Sequence, residues 1–290
     1  MEAFLAAQSP IDIHLHSNVS DGTESPADVV RSAHAAGVRT MALTDHDTAA
    51  GWDEAREQCR ELGMSFIPGM EFSARIGDGS MHILAYLFDP HAPEIVSELT
   101  KLQNDRENRL KEMTARVGAD HDITWDHVLE QISDEGMSVG RPHLADALVA
   151  RGIISERGEA FSGILSKTGP YYVPQYALDP VSAIHLIRGA GGVPIIAHPA
   201  TNSRAQPPTG AIEKLVEAGL GGYELDHREN AEPALSIFRE ACLKYDLIIT
   251  GSSDYHGTGK PNQPGENTTS PEMLVRILEQ GTGSEPTFAG

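Results

Sequence analysis

With 290 residues, 40% of them hydrophobic, the chain is long enough to bury one large core, or one core with a modest insertion. Its 42 Asp and Glu against 22 Lys and Arg give a formal charge of −20, which excludes a protein that grips long duplexes by neutralising their phosphates. A small nucleotide or a strand end remains compatible if the attraction is local, and bound divalent cations can offset part of the acid excess.

Met1 to Pro10 show neither a positive n-region nor an extended apolar stretch, and the apolar runs elsewhere are strand-sized. A cytoplasmic protein without a membrane segment is expected, with Cys59 and Cys242 as reduced buried thiols. The chain then alternates. A strand over Ile11–His16 leads through a polar turn to a helix over Pro26–Ala36, with Ser25 as its N-cap and Gly37 as its stop. A strand over Val38–Thr44, a helix over Asp53–Leu62 and a strand over Ser65–Met70 follow, which argues for a mainly parallel sheet with crossover helices. The next link, containing Ile76-Gly-Asp-Gly79, is too short for a crossover helix. It predicts an antiparallel pair of Met70–Arg75 with Met81–Phe88, bringing His82 back beside Glu71.

From about His91 to Ala177 polar helical patterns take over, in Pro93–Val117, Trp125–Ser133, Arg141–Ala150 and Ser155–Ser166. This predicts a mostly helical insertion, residues 91–177, between barrel segments 1–90 and 178–290. Alternation then resumes with strands over Val193–Ala197, Gly221–Leu225 and Leu247–Gly251. The helices of this part are Pro180–Gly189, Thr209–Ala218, Glu232–Lys244 and Pro271–Gln280. The Gly/Ser/Thr-rich tail after Gly281 reads as loose.

The chemistry lies at the strand ends. In Ile11-Asp-Ile-His-Leu-His-Ser17, positions i and i+2 of a strand put both imidazoles on one side. Similar groups recur in Thr44-Asp-His-Asp47, Gly69-Met-Glu-Phe-Ser73, Met81-His-Ile83, Ala197-His-Pro199 and Ser252-Ser-Asp-Tyr-His-Gly257. Nine residues are candidate metal ligands: His14, His16, Asp21, His46, Glu71, His82, His198, Asp254 and His256. A lone strand-end histidine is more often structural than a ligand. Nine such groups are hard to reconcile with structural use, because a buried imidazole or carboxylate without a partner is costly. Asp45 and Asp47 read either as supports that fix ring tautomers or as solvated or capping groups. No Gly-x-Ser-x-Gly elbow makes Ser252 or Ser253 a nucleophile. His227 and Arg228 follow a strand end within reach of the mouth, whereas His34, His127 and His185 sit in helical patterns.

These motifs, in order from His14 to His256, resemble the polymerase and histidinol phosphatase (PHP) family of metal-dependent phosphoesterases. The likeness is greatest to the branch with a helical insertion that acts on nucleotides and short oligonucleotides. The resemblance implies an α/β fold, a distorted seven-stranded β/α (TIM-like) barrel, with three divalent ions at its mouth. It implies His14, His16, Glu71 and Asp254 on one ion, Glu71, His82 and His198 on a second, and Asp21, His46 and His256 on a third. The mixed donors suit Mn²⁺, Fe²⁺ or Zn²⁺ ahead of Mg²⁺.

Attack by a metal-bound hydroxide, without a side-chain nucleophile, would release inorganic phosphate. Arg141 and His143 in Gly140-Arg-Pro-His143, and Lys167, are candidate phosphate-binding residues, set against the plain reading of a helix cap. The expected substrate is a nucleoside 3′,5′-bisphosphate or a short oligonucleotide end. The alternatives are a histidinol-phosphate or other small-metabolite phosphatase, a metal-dependent amidohydrolase, and a non-catalytic binding module.

Overall fold

The computed structural model describes residues 9–77, 79–132, 139–201 and 210–289. They form an α/β fold with eight strands in two sheets and ten helices. In the first part β1 (Ile11–Leu15), α1 (Pro26–Ala35), β2 (Thr40–Leu43), α2 (Trp52–Leu62) and β3 (Ser65–Phe66) alternate, giving a parallel sheet in the order β1-β2-β3. Ser25 caps α1 by accepting from the Asp28 N–H, and α2 stops at Gly63 in the left-handed region.

The expected strand over Ser65–Met70 is divided. Pro68 has no N–H to give to a ladder, so β3 ends at Phe66 and β4 (Gly69–Ile76) begins the second sheet. β4 pairs antiparallel with β5 (Gly79–Tyr86) in the expected hairpin, with Ser73 opposite His82. The sheet continues through β6 (Val193–Ile196), β7 (Gly222–Asp226) and β8 (Ile248–Gly251), the last three mutually parallel. Single bridges join the two sheets where the segments with the candidate ligands meet, Leu15 with Tyr255 and His46 with Glu71. The described strands therefore number eight in two sheets, where the family resemblance implies seven in one barrel.

The helical segment comprises α3 (Pro93–Gly118), α4 (Trp125–Leu129), α5 (Arg141–Ala150) and α6 (Arg157–Ser162). Position 133, the expected end of α4, lies outside the described residues, as do position 78 of the β4–β5 turn and Thr209. Leu110, Met113, Val117, Leu144 and Leu148 belong to an apolar cluster of the helical segment, whereas Ile95 and Leu102 of α3 join the main core. One long helix thus enters both clusters, and its Arg106 and Arg109 lie between the two apolar stretches. The remaining helices are α7 (Pro180–Gly189), α8 (Ala211–Glu217), α9 (Ala234–Tyr245) and α10 (Pro271–Gln280).

The segment after Gly281 is not loose. Phe66 and Thr287 exchange backbone hydrogen bonds of 2.7 and 2.9 Å, and Phe288 packs against the second core cluster. Gly283 lies so close to the neighbouring backbone that a Cβ there would stand 2.2 Å from the Ala190 carbonyl oxygen. Among the described residues, no helix is long and apolar enough to cross a membrane.

Candidate metal centre

All nine strand-end candidates converge. His14 on β1 and His16 just beyond it are fully buried, and their Nε2 atoms lie 3.0 Å apart. Glu71 Oε2 is 3.3 Å from the first and 3.1 Å from the second, and Asp254 Oδ1 is 3.4 and 3.3 Å away. Four donors held about 2.0–2.1 Å from one cation in a tetrahedron stand about 3.3–3.4 Å from each other. The separations match ligation better than hydrogen bonding, since both imidazoles present Nε2 to the same pair of oxygens.

Glu71 faces two ways. Its Oε1 lies 2.8 Å from His82 Nδ1 and 3.3 Å from His198 Nε2, while its Oε2 also stands 3.3 Å from His46 Nδ1. The strand pairing explains this, because Glu71 and Ser73 share a face of β4 and His82 is opposite Ser73. Asp21 gathers a third group. Its Oδ1 is 3.2 Å from His256 Nε2 and 3.8 Å from His16 Nδ1, and its Oδ2 is 3.7 Å from His46 Nε2. Three sets of donors are mutually within reach of one ion: His14, His16, Glu71 and Asp254; His46, Glu71 and His82; and His16, Asp21, His46 and His256. His46 thus stands between Glu71 and Asp21 rather than with Asp21 alone.

The donor set passes a test for divalent cations. Nδ1 of His46 and His82 and Nε2 of His256 are buried with no hydrogen-bond partner, although carboxylate oxygens stand close by. Their lone pairs converge on shared space instead of on a donor, as ligands require. The charge balance of the metal-free protein agrees. Burial alone would lower the His16 pKa, but Asp254 and Glu71 outweigh it and raise it to about 9; Glu224, Glu71 and Asp254 likewise raise His14. Burial would raise Asp21, Glu71 and Asp254, and the neighbouring positive charges hold all three well below the carboxylate range. Burial dominates at His46 and takes it down to about 3, leaving a neutral ring.

The loops that carry these groups are braced. Asp45 Oδ1 accepts from Ser17 N at 2.8 Å and Ser20 Oγ at 2.6 Å, and its Oδ2 accepts from Ser17 Oγ at 2.7 Å. Asp47 accepts from Ser73 N and Oγ, both at 2.8 Å, and from Arg106 Nε at 2.9 Å. Neither carboxylate bonds a ring nitrogen, so they do not fix ring tautomers; both cap loop N–H and hydroxyl groups. Asp47, His198 and Asp254 all have positive φ, a clustering of backbone strain at the centre. At Gly22, beside Asp21, a Cβ would stand 2.6 Å from the His16 carbonyl oxygen, so the turn needs glycine there. Ser252 Oγ accepts from Ile13 N and donates to Gly251 O, which makes it a loop support.

The donors floor a cavity of about 490 Å³ whose wall is cationic: Arg75, Arg106, Arg109, Arg141, Arg157 and Lys167, with Lys260 at the floor. Arg141 stands 5.3 Å from the Phe161 ring centre and donates to Leu165 O at 3.2 Å. Lys167 Nζ is 3.3 Å from Ser80 Oγ. Arg141 and Lys167 line the cavity; His143 is not among its lining residues. The His143 ring is buried and its Nδ1 accepts from Gly140 N at 3.1 Å, so the cap reading describes it. His227 reaches the centre, 3.6 Å from Asp254 Oδ2, whereas Arg228 pairs with Glu266.

Five residues escaped sequence reading. Glu224 on β7 is fully buried, takes the His14 Nδ1–H at 3.0 Å and accepts from His198 N at 3.0 Å. This fixes the tautomer that leaves His14 Nε2 facing the other donors. Arg106 and Arg109 had a signal in their i, i+3 spacing on one helix. Arg157 pairs with Asp146 and donates to Asp21 O at 3.3 Å, and Lys260 pairs with Asp254; neither had a local signature.

Known proteins agree with this geometry. The sequence profile of the PHP domain matches residues 12–151. The chain is 36% identical over 271 residues to the 5′-3′ exoribonuclease of Haemophilus influenzae, covering 93% of this chain and 98% of that protein. It is 30% identical over 279 residues to the 3′,5′-nucleoside bisphosphate phosphatase of Chromobacterium violaceum, covering 92% and 94%. A provisionally named metal-dependent phosphoesterase from Bifidobacterium adolescentis superposes with a TM-score of 0.90 at 38% identity, covering 94% and 96%.

Proposed function

The chain belongs to the PHP domain family, and from that premise we propose that it is a metal-dependent phosphoesterase that hydrolyses phosphate esters of nucleotides. The observation that carries this reading is a convergent set of imidazole and carboxylate donors, seven of which line the floor of a cavity walled by arginine and lysine. The relatives' substrates support nucleoside 3′,5′-bisphosphates or short oligonucleotide ends, with inorganic phosphate as product.

We assign His14, His16, Glu71 and Asp254 to one cation, Glu71, His82 and His198 to a second, and Asp21, His46 and His256 to a third, with His46 also near Glu71. Mn²⁺, Fe²⁺ and Zn²⁺ suit these donors best. Such cations supply Lewis acidity, which acidifies a water to a nucleophile near neutral pH and offsets charge on the phosphoryl oxygens. The residues do the rest. Glu224 holds His14 in its ligating tautomer, and Asp45 and Asp47 fix the loop that carries His46. Arg141 and Lys167, from the 91–177 segment, bind a second phosphate of the substrate and set its orientation; a planar guanidinium recognises phosphate at two points. On this reading residues 91–177 are an insertion that covers the centre built by 1–90 and 178–290.

The test is phosphate release from the chelator-stripped and Mn²⁺-reloaded protein, over nucleoside bisphosphates, 5′-phosphorylated oligonucleotides and histidinol phosphate. Turnover that vanishes on stripping, returns on reloading and is highest on the nucleotides is expected. Full turnover after stripping, or a clear preference for histidinol phosphate, contradicts the reading. Arg141→Ala is expected to raise KM about tenfold or more with little change in kcat. Unchanged KM and kcat on every nucleotide would remove Arg141 from the phosphate site.

A further inference from the structure

Lys260 has no part in the chemistry described so far, and its position is unusual for a lysine. Its ammonium is 2.6 Å from Asp254 Oδ2, and the side chain lines the cavity at the floor, among the donor residues. The ammonium therefore sits beside one carboxylate of the donor set, in a cavity that Asp21 and Glu71 also line. We propose that Lys260 contacts the substrate directly: it leaves the outer oxygen of Asp254 and binds a non-bridging oxygen of the phosphoryl group seated at the floor, and afterwards the released phosphate.

Two features of the site support this movement. Asp254 divides its oxygens, with Oδ1 facing His14 and His16 and Oδ2 facing Lys260, so the lysine can depart without disturbing the inner oxygen. A replacement donor also stands ready. His227 accepts from Glu229 N at its Nδ1, which puts the ring proton on Nε2, and that buried Nε2 has no hydrogen-bond partner and lies 3.6 Å from the same Asp254 oxygen. Loss of Lys260 then does not strand a buried carboxylate oxygen.

Once divalent cations neutralise Asp21, Glu71 and Asp254, an ammonium beside them faces net positive charge, and a phosphate dianion relieves that repulsion.

The assignment rests on the phosphoester reading above, and titration of the Mn²⁺-loaded protein with inorganic phosphate separates the two. Lys260→Met is expected to weaken phosphate binding at least tenfold while the bound Mn²⁺ per chain, measured by elemental analysis, stays at the wild-type value. Lys260→Arg is expected to recover most of the affinity and serves if the Met variant folds poorly. Phosphate affinity within twofold of wild type in the metal-replete Met variant overturns the assignment. So does a loss of Mn²⁺ that accounts for the weaker binding, since Lys260 would then only hold Asp254. Wild-type protein that binds Mn²⁺ but no phosphate would instead bring down the phosphoester reading itself.

Discussion

His14 can serve as a ligand only because Glu224 takes the proton on its other nitrogen, at 3.0 Å in a fully buried pair. Glu224→Gln keeps the volume but removes the charge that fixes the tautomer. It is expected to weaken Mn²⁺ binding by about 10–100-fold in a chelator competition; unchanged affinity would deny Glu224 its orienting role. The raised pKa values at His14 and His16 have a consequence for stability. A histidine raised above its ordinary 6.5 stabilises the fold below that pH, and this contribution is lost as pH rises through the folded value, about 9 for His16. His46, depressed to about 3, titrates below the window and adds nothing within it. The metal-free protein is therefore expected to show a falling Tm between pH 6.5 and 9, and the Mn²⁺-loaded protein a much flatter one. A flat or rising Tm in the metal-free form would contradict this charge balance. The positions of His14, His16 and His46 were legible because each lies at or just beyond the end of an apolar strand run. Glu224 was not, because in Gly-Tyr-Glu-Leu-Asp it reads as the polar position of an ordinary strand.

At the scale of elements, α3 decides how the helical segment meets the sheets. Its first half packs into the main core and its second into the helical cluster, and between them Arg106 donates to buried Asp47 and to Ser73 Oγ. This one side chain ties the segment to the loop carrying His46 and to the strand carrying Glu71. Arg106→Met leaves Asp47 buried without its cation and is expected to cost about 3–5 kcal/mol in denaturant unfolding; a loss below about 1 kcal/mol would show that α3 is held by its apolar contacts alone. Helix ends were readable wherever a capping residue marks them, as at Ser25 and Gly63. The hairpin was readable from the brevity of its link. Two features were not. Pro68 divides a continuous apolar run between two sheets, and a glycine- and serine-rich tail is pinned by an exchange of backbone bonds with Phe66, which no side-chain pattern announces.

Over the whole molecule, two charge distributions coexist. The chain carries −20 overall, yet the cavity wall is built from arginine and lysine above a floor that calls for cations. Attraction of an anion is therefore local to this cavity, which fits a small nucleotide and disfavours a long duplex lying across the surface. The closure of two sheets around that place depends on isolated bridges between distant segments, Leu15 with Tyr255 and His46 with Glu71, and no local periodicity encodes them. The central claim, that side chains spread from His14 to His256 bind several cations together, is tested most directly by anomalous diffraction from a Mn²⁺-loaded crystal. Three anomalous peaks are expected, one among His14, His16, Glu71 and Asp254, one by Glu71, His82 and His198, and one by Asp21, His46 and His256. An active, Mn²⁺-treated crystal without peaks among these residues would contradict it.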